Sequence, residues 1–452
     1  MKIFFSGIGG SGMSAIACFM AEKGHQVIGS DRSFDANPEH FIKKILLSKG
    51  IKILPQDGSG IDKTLDLVVF STAVEKDTLE YQNAVKLKLQ ISTRPEYLSE
   101  IVLNYNTIAV AGTSGKSTSS GMLTFLMKKL GLNPNFIGGG RIIDFKTDNN
   151  PGNSLIGNSD YLVIEACESD GTIVNYKPLH SIILNLAFDH HPIEKSFDLF
   201  KVLVENTKDM VILNADEPNL KDLIKINKKK IITFSINKPS YYKAENIIYN
   251  KFSAKFFLNG TRFNLSLPGM HNIYNALSSI AFLNEIGFSL KDISSVIGEF
   301  RGVERRFQIH LYDKKRLVID DYAHNPHKIS SLMNTVKKIR KNICYIFQPH
   351  GFGPTRMMRD EYIEVFTKNL RVSDQLILLP IFYAGGNVSK DISSLDIAEG
   401  IRKKGKNVKV TERDEILKEI DNWNNYVVFG ARDDTLSDLA KEIANNLKSS
   451  FL

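Results

Sequence analysis

Short apolar runs, each closed by Gly, Asp, Ser or Asn and separated by stretches of amphipathic helical period, recur from one end of the chain to the other. This alternation predicts an α/β protein, in which helices cover mostly parallel sheets. A first block carries strand candidates at Ile3–Phe5, Val27–Ser30 and Leu67–Phe70, an extended segment around Ile91–Thr93, and a helix from about Met13 to Lys23. A second block opens on Thr107–Ala111, which runs straight into a glycine-rich turn and a helix, and continues through Tyr161–Glu165, Ser181–Asn185 and Val211–Asn214. Alternating apolar positions around Asn259-Gly260 predict a hairpin within Tyr242–Leu267. His271–Ile286 reads as a helix. The third block has strands at Leu317–Asp320, Ile343–Phe347, Leu376–Pro380 and Tyr426–Phe429, each delivering polar or glycine residues near its carboxyl end, where open parallel sheets place ligands. With 452 residues, more than one core is needed, and the blocks divide the chain into domains at 1–105, 106–299 and 300–452.

Composition narrows the class. Hydrophobic residues at 42% and charged residues at 24% exclude long disorder, a collagen-like repeat and a membrane bundle. The formal charge of +8 comes from basic residues scattered among acids, as between Glu412 and Asp421, which suits anionic small molecules better than nucleic acid. Cys18, Cys167 and Cys344 have no metal-binding spacing and sit in apolar runs, so buried thiols in a reducing cytoplasm are expected. The chain starts on a strand candidate, so no export signal is expected, and no apolar stretch is long enough to insert in a membrane.

The strongest chemical signal is Gly112-Thr113-Ser114-Gly115-Lys116-Ser117-Thr118 between a strand and an amphipathic helix. Such a turn presents backbone N–H groups and a helix amino terminus to a phosphate; Lys116 would reach the terminal phosphates and Ser117 would coordinate Mg²⁺. Val110 stands where the first glycine of the longer Walker pattern would be. Acids for the metal follow the Tyr161–Glu165 strand at Glu168 and Asp170, and Asp189-His190-His191 follows the next strand. Near the amino terminus, Gly7-Ile8-Gly9-Gly10-Ser11-Gly12 with Asp31 matches a dinucleotide fingerprint, which fits NAD or any other nucleotide diphosphate. Asp320–Pro326, Gln348–Arg356 and Arg301–Phe307 bring histidines and arginines suited to phosphates and carboxylates.

Taken in order, several of these runs resemble the Mur ligases over essentially the whole chain. They are Gly112–Ser117, Glu165–Asp170, Asn185–His190, Pro268-Gly269-Met270-His271-Asn272 with Asn275, Arg305-Arg306-Phe307 and Asp320–Pro326. The resemblance implies a Rossmann-like UDP-binding domain, a central P-loop ATPase-type parallel sheet and a carboxyl-terminal Rossmann-like domain for the amino acid. It implies an ATP- and Mg²⁺-dependent ligase of peptidoglycan synthesis working through an acyl phosphate, as a monomer or homodimer. Gly7–Ala17 and Ser71–Val74 are similar to the members that join L-alanine to UDP-N-acetylmuramate; attachment of a recycled tripeptide is the alternative within the family, and an NAD-dependent oxidoreductase the alternative outside it.

Carried over position by position, the resemblance assigns catalysis to Lys116, His190, His324 and Arg356, the last reaching the phosphates on domain closure. ATP falls to Gly112–Thr118 with Asn272, Asp321 and Asn325; UDP-sugar to Gly9, Gly10, Ser11, Gly12, Asp31, Ser71 and Thr72; the metals to Ser117, Glu168 and His190. The chain departs from the pattern at Ser114, where histidine is usual, at Cys167 for aspartate, at Asn325 for a second histidine, in Gly351–Arg356, which lacks the arginine that commonly follows the histidine, and at Gly430–Asp434.

Overall fold

The structure, a computed structural model, describes residues 1–187, 192–226, 230–383, 389–418 and 422–449. These form two compact units, 1–303 and 304–452.

The first unit contains two parallel-type sheets. In the first, the order is Lys52–Leu54, Gln26–Ser30, Lys2–Ser6, Leu67–Phe70, Ile91–Thr93, all parallel. The chain leaves Lys2–Ser6 to build one flank and returns to build the other. The carboxyl ends of Lys2–Ser6 and Leu67–Phe70 therefore flank a switch point, the place in such a sheet where a ligand crevice opens.

The second sheet has eight strands, with Asn106–Ala111 between His180–Ile183 and Tyr161–Glu165, and every pair is parallel except the edge strand Ser154–Leu155. Both faces of Asn106–Ala111 are covered, and its period-two pattern divides its residues between two cores. Ile108 and Val110 pack with Met122, Leu123 and Leu126 of the helix Lys116–Lys129. Ala109 and Ala111 join Phe200, Leu203 and Val204 of the helix Ile193–Asn206, and the same core reaches Ile3 and Phe5 of the first sheet. One continuous apolar core thus underlies both sheets, which is the physical reason they form a single compact unit.

The hairpin expected in Tyr242–Leu267 is larger than that. Glu245–Tyr249, Ala254–Leu258 and Thr261–Leu265 make a three-stranded antiparallel sheet, while Tyr242–Lys243 stays with the parallel sheet. Its Asn259-Gly260 turn is as expected, with both residues at positive φ (+46° and +76°) between paired Leu258 and Thr261.

The second unit is a six-stranded sheet in the order Gln308–Tyr312, Leu317–Asp321, Asn425–Gly430, Cys344–Gln348, Gln375–Leu378, Val408–Val410, antiparallel only at its first pair. Its polar loops leave the carboxyl ends of the parallel strands. Among the described residues, no helix is long and apolar enough to cross a membrane.

Of the three thiols, Cys18 and Cys344 are buried as expected, but Cys167 is only half-buried. It lies past the last residue of the Tyr161–Glu165 strand, and its Sγ approaches Ser169 Oγ at 3.1 Å.

Candidate active site

Three neighbouring strands of the second sheet deliver the phosphate loop and its partners. Asn106–Ala111 leads into Gly112 and Gly115, both at positive φ (+140° and +88°). A Cβ on Gly115 would come within 2.6 Å of Asn275 Oδ1, so only glycine lets the loop turn into its helix here. From the next strand over, Asn185 clips the loop by accepting from Ser114 N at 2.8 Å and donating to Ser114 O at 2.9 Å. Thr113 Oγ1 accepts from Ala187 N at 3.0 Å. From the helix Met270–Glu285, Asn275 Oδ1 accepts from Ser119 Oγ at 3.1 Å and its amide donates to Asn272 Oδ1 at 3.1 Å.

The charged groups converge on the helix start. Lys116 Nζ donates to Glu168 Oε2 at 2.9 Å and to Gly112 O at 2.7 Å. Burial works against its ammonium, but the neighbouring Cys167, Glu168 and Glu165 outweigh that and raise its pKa, so the charge is held. Ser117 Oγ donates to Glu165 Oε2 at 3.1 Å, and Glu165 Oε1 accepts from Gly140 N at 3.1 Å. The structure thus places Glu165 on Ser117 and gives Glu168 to Lys116. The hydroxyl and the two carboxylates are the hard oxygen donors that Mg²⁺ selects, so the residues fit that ion. His190, assigned to catalysis and a metal, lies outside the described residues.

At the switch point of the first sheet, Gly7 (φ +79°) packs so tightly on the Ser71 turn that an added Cβ would lie 2.8 Å from the Ser71 side chain. Gly10 and Ser11 are exposed at the start of the helix Ser11–Glu22, and Gly12 lies beside Arg94, whose Cδ would be 3.2 Å from an added Cβ. Thr72 is exposed in the turn after Ser71. Asp31 is turned inward: one carboxylate oxygen accepts from Gly9 N at 2.8 Å and the other from Ser33 N at 2.9 Å. In this arrangement Asp31 shapes the glycine loop, whereas the dinucleotide reading needs it free for a ribose.

Two contacts tie this loop to the phosphate-loop side. Arg94, opening the helix Arg94–Leu103, donates to Asp170 Oδ2 at 2.8 Å, and Asn153, fully buried, donates to Ser11 O at 2.7 Å. Arg94 and Asn153 carried no signal in the sequence, because their partners lie 76 and 142 residues away. Glu165, Asn185 and Asn275 lie within the runs that resemble the Mur ligases, and the sequence signal for Glu165 and Asn185 is a carboxylate or amide at the end of an apolar run.

In the second unit, Asp321 accepts from Phe307 N at 2.7 Å and Ala323 N at 2.8 Å, and burial pushes its carboxyl up. Asn325 caps the helix Pro326–Lys337 by accepting from Lys328 N at 2.9 Å. His324 Nδ1 contacts Tyr322 O at 2.9 Å; a carbonyl only accepts, so Nδ1 carries the proton and Nε2 presents a lone pair. Burial lowers His324 to about 3 and His350, packed edge-on at 5.3 Å, to about 4, so both rings are neutral at pH 7. Arg356 is exposed, ion-paired with Asp391, and donates to Ser389 O at 3.1 Å. Arg305 does not serve a ligand as its sequence context suggested: it is 3% exposed and is spent on Gly430 O, Asp433 O and Asp320. Its guanidinium satisfies carbonyls at the end of a central strand, a structural duty that sequence spacing does not reveal.

Three family models match the chain in succession: "Mur ligase family, catalytic domain" over residues 2–106, "Mur ligase middle domain" over 110–283 and "Mur ligase, glutamate ligase domain" over 305–432. The chain belongs to the Mur ligase family. Among Mur ligases, it is 34% identical to the UDP-N-acetylmuramate–L-alanine ligase of Caldanaerobacter subterraneus subsp. tengcongensis, over 90% of this chain and 88% of that protein. It is 32% identical to the corresponding ligase of Aquifex aeolicus, over 93% and 91%. Its structure is similar to the UDP-N-acetylmuramate-alanine ligase of Thermotoga maritima, with a TM-score of 0.80, 28% identity and full coverage of both chains. A murein peptide ligase from Psychrobacter arcticus follows at a TM-score of 0.72, 25% identity and coverage of 99% and 98%.

Proposed function

We propose that this Mur ligase joins L-alanine to the carboxylate of UDP-N-acetylmuramate with conversion of ATP to ADP and phosphate. The observation that carries the reading is that two glycine loops of different character share one compact unit. One loop has a lysine paired with a buried carboxylate, the other sits at a switch point, and Arg94–Asp170 and Asn153–Ser11 join them. The names of the similar ligases supply the substrates. The reading keeps the three-domain division at 1–105, 106–299 and 300–452, and it places the reaction in the cytoplasm, where nucleotide substrates and free thiols occur together.

In this reading, the UDP-sugar diphosphate lies against Gly9–Gly12 and the Ser71-Thr72 turn, with Asp31 setting the loop. ATP lies on Gly112–Thr118, with Asn272, Asp321 and Asn325 assigned to its nucleoside. A sugar-acid carboxylate oxygen attacks the γ-phosphorus, the bond to the β-bridging oxygen breaks, and ADP leaves. Lys116 stays charged through this step and offsets the meeting of two anions, which is most of what such a transfer requires. Mg²⁺ held by Ser117 and Glu168, with His190 at a second metal, would supply further charge neutralisation. The amine of alanine then attacks the acyl carbon, phosphate leaves with its oxygen, and the nitrogen gives up a proton. The free Nε2 of His324 suits it to accept a hydrogen bond from that amine; His190 and Arg356 complete the catalytic assignment.

A tripeptide acceptor is the second reading, favoured by the similarity to the murein peptide ligase. Phosphate release from ATP and Mg²⁺ with UDP-N-acetylmuramate tests both: release that requires L-alanine and disappears in Lys116→Ala supports the first. Release that requires the tripeptide keeps the mechanism and changes the acceptor.

A further inference from the structure

In the first sheet, two adjacent parallel strands, Lys2–Ser6 and Gln26–Ser30, end side by side on serines that are fully buried, with Ser6 paired in register with Ser30. Their hydroxyls converge on one carboxylate. Ser30 Oγ donates to Glu80 Oε1 at 2.5 Å, and Ser6 Oγ donates to Glu80 Oε2. Gln56 Nε2 approaches Ser6 Oγ at 3.3 Å, while Gln56 Oε1 accepts from Arg32 N at 3.1 Å. Glu80 belongs to the helix Leu79–Lys86 and is 1% exposed, and burial raises its pKa against the opposing effect of these hydrogen bonds, with Asp57 adding to the rise.

A carboxyl group in such a place is costly, and an apolar side chain would fill the space at lower cost. What distinguishes its partners is where their main chains go. Ser30 O accepts from both Gly7 N (2.9 Å) and Ile8 N (3.0 Å), the first amides of the glycine loop. Ser6 O accepts from Ser71 N at 2.9 Å, the first amide of the opposite turn. Asp31, next after Ser30, holds Gly9 N. The two residues that Glu80 grips by their side chains are therefore the two that hold both walls of the crevice by their carbonyls.

We propose that Glu80 is a positioning residue for diphosphate binding: through the Ser6 and Ser30 hydroxyls it sets the spacing of the glycine loop and the Ser71 turn. The proposal rests on reading this crevice as the UDP-sugar site. Glu80 acts through other residues, so its loss is felt in affinity for one substrate, and it leaves the phosphate loop on the second sheet alone.

Calorimetric titration of the full-length protein with UDP-N-acetylmuramate, beside steady-state KM and kcat for both substrates, tests this in Glu80→Ala and Glu80→Gln. For Glu80→Ala, the expected result is UDP-sugar binding weakened by about tenfold and its KM raised equally, with kcat and the KM for ATP within about twofold of the parent. Glu80→Gln, which can accept from one serine and donate to the other, recovers most of the affinity. Unchanged UDP-sugar affinity in Glu80→Ala, or an equal rise in both KM values, overturns the proposal, the second because general loosening of the fold would do the same. If Glu80→Ala does not fold, Ser6→Ala/Ser30→Ala takes its place with the same two readouts. A parent protein that binds ATP but no UDP-sugar removes the reading beneath the proposal and the proposal with it, a result distinct from parental binding that Glu80→Ala leaves intact.

Discussion

The two glycine loops of the first unit look alike in outline, each following a buried strand and opening a helix, yet they are stiffened by opposite means. The Gly112–Ser117 loop is held around a charge: Lys116 sits between Gly112 O and Glu168, while Asn185, Thr113 and Asn275 brace the backbone around it. The Gly7–Gly12 loop is held through its frame by two acids, Asp31 on Gly9 N and Glu80 on the serine ends. The difference teaches what each loop is for. A loop that only has to grip a diphosphate needs spacing, whereas one that presides over phosphoryl transfer needs a fixed positive charge where negative charge gathers.

The contrast breaks most visibly at Lys116. Lys116→Ala should lower kcat by roughly 10²–10³-fold, the cost of removing one preorganised charge, while calorimetry shows UDP-sugar binding unchanged. Gly115→Ala comes next. With φ at +88° and Asn275 Oδ1 at 2.6 Å from the new Cβ, it should cost about 1–3 kcal/mol, read as a lower Tm together with a raised KM for ATP. Arg94→Ala sharpens the comparison by cutting the bridge between the loops. Its partly exposed ion pair with Asp170 should contribute about 1 kcal/mol, a factor of roughly 5 in kcat/KM for UDP-sugar at saturating ATP. A cycle with Asp170→Ala should show the two substitutions to be non-additive.

A separate effect belongs to the second unit and concerns acid. His324 and His350 are held near 3 and 4 by burial, below their unfolded values, so the unfolded chain binds more protons than the folded one as pH falls below about 6.5. The neutral rings therefore contribute stability that is present above that pH and lost progressively towards pH 4. Thermal denaturation between pH 7.5 and 5 (about the range in which histidine charge changes) should show a falling Tm whose slope is reduced in His350→Gln.

What could be read from the sequence follows the range of the interactions. Central strands announced themselves because burial on both faces leaves unbroken apolar runs, and the phosphate loop did because glycine, lysine and serine must be adjacent to work. The Asn259-Gly260 turn was legible for the same local reason, although the added strand Glu245–Tyr249 was not, being exposed along its edge, with Asn246 at positive φ. Glu80 reads as an ordinary solvated acid in the first turn of a helix; only the fold, bringing residues 50 and 74 positions away onto it, makes it a buried anchor. Arg305 failed in the opposite direction, a promising arginine in a motif that proves to be spent on backbone carbonyls. Adjacent chemistry is written in sequence, and chemistry assembled by topology is not.

The apolar core that runs beneath both sheets of the first unit has a consequence for how that half of the molecule comes apart. Ile3 and Phe5 belong to the same buried cluster as Ala109 and Leu203, so neither sheet can be stripped away without wetting the underside of the other. The first 303 residues should melt as one body, and a ligand resting on either loop protects both.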